Sequence, residues 1–325
     1  MLTPGLPEYL STSSSIINLG LDPGWFWLQL GINVGQYTAG ALLIREAALR
    51  WRKGWGSVFL LALAYGITEE GLGDNTLFNS NHGADGVLGS FGRFDGVNWV
   101  WSTGVLSFHV IYSIGLPILL LGLALPGTRG KSLLGRRGII LAFLSLAATT
   151  SLETMIVYRA FQFWMGSWLL VGSIGAIALL VLTAYLVPVE FWRPRAEHPT
   201  LTPFGAGTIG FALFPVLFFL EYYVPYFGLT ATVIVAIEVL VLLLVLELLR
   251  RGIGRGQNEY VLVSLAFGFI LWQSVFGLII HIPVFYNIPL VILAVWFCVR
   301  LRRQYTPQAS VPPPGATGEM GPSRT

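Results

Sequence analysis

The sequence predicts an all-α, polytopic membrane protein of about nine transmembrane helices, with the N-terminus outside and the C-terminus cytoplasmic. Three observations predict it. Apolar residues make up 54% of the 325 residues and charged residues 11%, against roughly 25% charged in soluble domains. Apolar runs of about 20 residues recur along the chain, long enough at 1.5 Å per residue to cross a hydrocarbon core of roughly 30 Å. They are too long for transmembrane β-strands, which need about ten alternating residues. Finally, of the 19 lysines and arginines all but Arg93 and Arg159 fall on one side of a nine-helix zigzag, the distribution the positive-inside rule assigns to cytoplasmic loops.

Residues 1–24 form an outer N-terminal segment without the basic region and small-residue cleavage site of a signal peptide, so the first helix is expected to persist. Residues 25–303 form the transmembrane bundle. Its first helix, 25–50, places Gln29, Asn33, Gln36 and Gly40 on one stripe. Glu46 and Arg50 near its end are four apart in the favourable order for pairing. The second helix, 55–73, runs into Glu69 and Glu70. The third, 99–125, carries Ser102, His109 and Ser113 at intervals of seven and four, with Tyr112 beside them. Ser145, Thr149 and Glu153 follow at four-residue spacing in the fourth, 138–158.

The fifth helix, 167–189, has no charge before its end, and Gly172 and Gly175 mark close packing. Glu221 closes the sixth, 205–224. The seventh, 229–249, buries Glu238 among Ile, Val, Leu and Ala, while its Glu247 can meet Arg250 and Arg251. The eighth, 260–280, leads Gln273 and Gly277 toward His281, and the ninth, 287–302, holds Cys298, the only cysteine. One cysteine excludes an intrachain disulfide and a thiolate zinc site. Residues 304–325, with Pro312-Pro313-Pro314 and no apolar period, form a disordered cytoplasmic tail. The chain as a whole is a multi-pass protein of the cell membrane, in contact with membrane lipids. Its basic residues follow topology, which gives no footing for nucleic-acid binding, and the sequence assigns no oligomeric state.

Polar stripes on membrane helices must face other helices, because lipid satisfies none of their hydrogen bonds. Ionisable residues there are candidates for function. On the topology above, Glu69 and Glu70 lie at the outer end of their helix, and His109 lies about ten residues into the next, roughly 15 Å deep. Glu153, Glu221 and His281 fall in the outer half, and Glu238 near the middle needs a partner or a proton of its own. Between the second and third helices, residues 71–98 hold seven glycines, four asparagines, three aspartates, His82 and Arg93. Loops of this length tend to be functional. Phe78, Phe91, Phe94 and Trp99 could anchor it at the interface as a re-entrant or lid-like loop.

Glu69-Glu70 in one helix with His109 in the next resembles the CPBP family of CAAX-type intramembrane proteases, whose motifs are EExxxR, FxxxH and a third histidine with a nearby asparagine. The resemblance implies that Glu69 or Glu70 activates a water and that His109 helps bind a metal or an oxyanion. In this chain Asp74 stands where that motif has arginine, Val105 where it has phenylalanine, and Asn287 follows His281 at a different spacing. Gly71-Leu72-Gly73-Asp74 is similar to the GxGD signature of presenilin-type aspartyl proteases, a chemistry that needs a second membrane aspartate. Asp22, Asp85 and Asp95 all lie outside the expected helices. HExxH, rhomboid-type GxSG and Walker A motifs are absent.

The expected function is therefore an outward-facing Glu/His site, with Glu69, Glu70 and His109 catalytic. Asp74, His82, Glu153, Glu238 and His281 are candidates for substrate or ion binding. A membrane-embedded hydrolase or transferase acting on a lipid-linked or peptide substrate fits, as does a cation- or proton-coupled transporter or a non-catalytic scaffold. The sequence specifies no cofactor, though the site could hold a divalent metal ion.

Overall fold

Residues 5–10, 18–81, 86–193, 200–253, 259–280 and 288–305 are described by the computed structural model. His82, His281, Asn287 and the tail from residue 306 lie outside the described residues. Each expected apolar run is helical: α1 (Pro23–Arg50), α2 (Trp55–Gly66 continued by Ile67–Gly73), α3 (Trp99–Ala124), α4 (Arg136–Phe161) and α5 (Ser167–Leu186), then α6 (Pro203–Tyr222), α7 (Ala231–Gly252), α8 (Glu259–Ile280) and α9 (Ile288–Tyr305). Side chains set several of the starts. Asp22 accepts from the Trp25 amide at 3.0 Å and Thr202 from the Gly205 amide at 3.0 Å, each followed by proline in the first turn. That is the residue order that satisfies the orphan donors of a helix start.

Among the described residues six helices are long and apolar enough to cross a membrane: α3, α4, α5, α6, α7 and most of α8. The polar stripe lowers the hydropathy of α1, the glutamate pair that of α2, and Arg300, Arg302 and Arg303 load α9 with charge. The apolar helices do not hide their greasy faces. Leu141 on α4, Leu186 on α5 and Leu240 on α7 are each 65% exposed. Apolar surface this extensive is foreign to a water-soluble monomer and suits a lipid environment. By contrast α3 and α8 are 56% buried along their spans and form the middle of the bundle. Gly210 of α6 and Gly268 of α8 lie against each other's backbones, where any Cβ would collide, the close approach that small residues permit in membrane bundles.

The connections alternate between two ends of the bundle. At one end Arg45 donates to the Thr128 and Lys131 carbonyls, at 2.6 and 3.0 Å. Glu46 there accepts from the Leu133 amide at 2.6 Å and lies 3.5 Å from Arg50. Lys53 reaches the Val187 carbonyl at 2.7 Å, and Arg129 pairs with Glu259 at 2.9 Å. Glu247 meets Arg250 and Arg251, each at 2.6 Å. At the opposite end the segment before α3 packs on the connections that follow α4 and α6, through Phe78 with Met165 and Leu88 with Val224.

That segment is folded. Asp95 and Gly96, at φ of 52° and 75°, turn a two-residue hairpin between β1 (Arg93–Phe94) and β2 (Val97–Asn98), the geometry an Asp-Gly pair favours. Arg93 ties it down by donating to the Phe78, Asn79 and Gly89 carbonyls. Asn98 caps α3 through the Trp101 amide and donates to the Leu88 carbonyl at 2.6 Å. Of the expected anchors Phe78 is buried, whereas Phe94 and Trp99 are exposed. Gly5–Tyr9 forms a wide helical turn whose Leu6, together with Leu10, is buried in the main apolar core beside α3.

Candidate functional site

Both elements that carry the expected centre leave the α-helical ladder at that point. α2 widens into π-helical turns over Ile67–Gly73, and α3 does so over His109–Gly115. The Asp74 amide accordingly bonds back five residues to the Glu69 carbonyl at 2.7 Å. Such wide turns recur at functional sites. Here they present Glu69, Glu70 and His109 to one another.

His109 Nε2 lies 2.7 Å from Glu69 Oε2 and 2.7 Å from Glu70 Oε1. All three side chains are buried. On the other side of the ring His109 Nδ1 lies 2.9 Å from Ser113 Oγ. Thr76 donates a short hydrogen bond to Glu70 Oε2. The Tyr37 hydroxyl stands 2.6 Å from Glu69 Oε1 and 2.5 Å from Glu8 Oε1. A tyrosine has one hydrogen to give, so one of those two carboxyls supplies a second proton to the chain Glu8–Tyr37–Glu69.

The same count exposes a deficit at the imidazole. One N–H can serve one acceptor, and its hydrogen-bond geometry is with Glu70, which leaves buried Glu69 Oε2 without a hydrogen bond. Three ligand atoms, one from each residue, lie within 4.8 Å of one another. Two ligands about 2.1 Å from a shared tetrahedral ion stand about 3.4 Å apart, so the two 2.7 Å separations from His109 to the glutamates would have to widen to admit one. A 2-Glu-1-His set is also chemistry that a divalent transition metal accepts. Ser113 completes the fit: an Nδ1–H donated to its hydroxyl aims the Nε2 lone pair at the carboxylates, the arrangement expected of a ligating histidine. The residues therefore suit a divalent ion.

The centre opens into a cavity of about 630 Å³. It lies between α1, α2 and α4 on one side and α6 and α8 on the other, with α3 as the shared wall. Asp74 and Glu153 line it, joined by Glu8 and Glu221. Glu153 accepts from Gln36 Nε2 at 2.9 Å and sits so close to Gly73 that a Cβ there would meet its carboxylate. The stripes of α1 and α4 thus face each other, with Ser145 donating to the Gly35 carbonyl at 3.2 Å. Tyr112 turns away and donates to the Phe269 carbonyl of α8. Glu238 is fully buried on α7, is not among the described lining residues, and neither carboxylate oxygen has a hydrogen bond among the described residues. His82 and His281 lie outside the described residues.

Three participants carried no such expectation. Tyr37 follows Asn33 by four residues and so extends the stripe of α1, a signal the sequence did contain. Thr76 sits in the glycine-rich segment, and Glu8 lies far from any periodic run. Comparison with family models, with curated proteins and with solved structures finds no match.

Proposed function

We propose that this chain is a multi-pass cell-membrane enzyme whose Glu69–Glu70–His109 centre hydrolyses or transfers a group on a lipid-linked or peptide substrate. The observation that carries the reading is the convergence of two buried carboxylates on one imidazole nitrogen at the wall of a 630 Å³ cavity. The topology that accompanies it is nine spans, with the N-terminus outside, the C-terminus cytoplasmic and the site facing outward. Support comes from the arginine-rich connections gathered at one end, opposite the glutamate pair, and from the helices over all nine expected runs.

In this reading one glutamate accepts a proton from a water while the water oxygen adds to the substrate's electrophilic carbon or phosphorus; the proton then passes to the leaving group. Tyr37 and Thr76 hold the two carboxylates in place, and Ser113 orients His109. A bound divalent ion would polarise the water and the substrate oxygen, with Glu69, Glu70 and His109 as its ligands. The protein shell contributes by excluding bulk water, which strengthens each charge interaction inside.

A cation-coupled transporter is the second reading, favoured by one observation: six carboxyl groups line the cavity, and none of its described lining residues is lysine or arginine. Purified protein reconstituted in liposomes separates the two. A bound transition metal with no cation flux supports the enzyme, whereas gradient-driven uptake by metal-free protein supports the transporter.

A further inference from the structure

We propose that the cavity holds a second site on its aromatic wall, which binds the ammonium group of a cationic amphiphile with Glu221 as counter-ion. Glu221, on the last turn of α6, is 6% exposed and makes no hydrogen bond or ion pair with a described residue. Its carboxylate reaches across to α3, where Gly104 leaves the room for it; any Cβ at that position would collide with the carboxylate oxygens. Glu238, also buried, lies near enough to interact electrostatically with Glu221, and neither of its carboxylate oxygens is hydrogen-bonded among the described residues.

Aromatic rings line the same cavity as this carboxylate. Trp272 and Phe276 of α8 are 5.7 Å apart between centroids, Phe276 and Phe218 5.5 Å, and Phe218 and Tyr222 4.5 Å. Trp101 stands one turn before Gly104 on α3 and lines the same cavity. An unpaired carboxylate in such surroundings is costly. Ring faces carry negative potential and attract organic cations, quaternary ammonium groups above all. A small hard cation would need six or more oxygens, and this wall offers a carboxylate and the Gln273 amide. An anion would meet six carboxyls with no lysine or arginine among the described lining residues. The cavity's volume suits a small-molecule ligand, and Phe108, Phe214 and Leu217 continue the wall with apolar surface, which suits the chain of an amphiphile. The inference stands independently of the chemistry at Glu69, Glu70 and His109. If that centre is an enzyme, it names the charge its substrate carries.

The test measures equilibrium binding of radiolabelled dodecyltrimethylammonium to the purified full chain in nonionic micelles. Saturable binding is expected, weakened about 10- to 100-fold in E221Q, the cost of losing a charged partner. W272L, which removes a ring but keeps an apolar side chain, should weaken it about fivefold and serves if E221Q does not fold. H109A is expected to abolish any hydrolysis while leaving binding within about twofold, since the sites are separate; failure of the catalytic reading would therefore not imitate failure of this one. Weak competition by tetramethylammonium identifies an amphiphile, and strong competition a free organic cation at the same site. Equal competition by neutral dodecanol, or unchanged affinity in both E221Q and W272L, overturns the proposal.

Discussion

His109 Nδ1 sits 2.9 Å from Ser113 Oγ, one turn further along the same helix. That contact fixes which nitrogen faces the two glutamates, and the first prediction follows from it. The purified protein should carry about one divalent ion per chain, measured by elemental analysis after gel filtration. E69Q and H109A should lose the ion. S113A should keep it with an affinity about 10- to 100-fold lower, the usual effect of losing an outer-shell partner. Full metal retention in H109A would rule out the ligand set.

Tyr37 links Glu8 of the N-terminal turn to Glu69 of the centre. Y37F removes the shared hydroxyl and leaves buried Glu69 and half-buried Glu8 unbridged. It should lower stability in detergent by about 1–3 kcal/mol, read as a drop in thermal midpoint. E8Q, which keeps a group able to hydrogen-bond, should cost less. An unchanged midpoint in Y37F would show that the bridge contributes nothing.

Gly104 faces the Glu221 carboxylate with no room for a methyl group. G104A must push aside only the far end of the flexible Glu221 side chain, so its cost should be small, under about 1 kcal/mol. Shortening the opposing side chain in G104A/E221A should recover most of that loss, since neighbouring substitutions are non-additive. A double-mutant cycle by thermal unfolding measures the recovery, and simple additivity would contradict the close approach.

Arg93 donates to three backbone carbonyls of the segment between α2 and α3. R93A should loosen that segment, so limited proteolysis should cut between residues 75 and 98 faster than in the parent protein. Cleavage at the parental rate would mean that Asn98 and the hairpin hold the segment without it.

Because Cys298 is the single cysteine, C298S gives a clean background for topology. Cysteines placed at Ser90 and at Ser132 should react with an impermeant maleimide on opposite sides of the membrane in intact cells, Ser90 from outside. Labelling of both from the same side would break the nine-span zigzag.

The helices were legible because hydrophobic length is a one-dimensional property. Even α1 and α2, diluted by Gln29, Asn33, Gln36 and the glutamate pair, are helical over the expected residues. Glu69, Glu70 and His109 were legible for a related reason: a charge in an apolar run must find company, and helix order sets its depth. Glu8, in one short helical turn, and Thr76 and the Asp95-Gly96 hairpin, outside any helix, were not, because no apolar period assigns any of them a face.

The wide turns in α2 and α3 also put fold and chemistry at odds. A π-helical turn amounts to one residue more than an α-helix needs, and each residue turns the helix by about 100°. Deleting one residue within His109–Gly115 would return α3 to the commoner ladder while swinging its two halves about 100° relative to each other. His109 could then face the glutamates only if the rest of α3 gave up its contacts with α8. A drift toward a more regular, more durable helix would thus dismantle the centre, and selection for sturdiness alone would not preserve it.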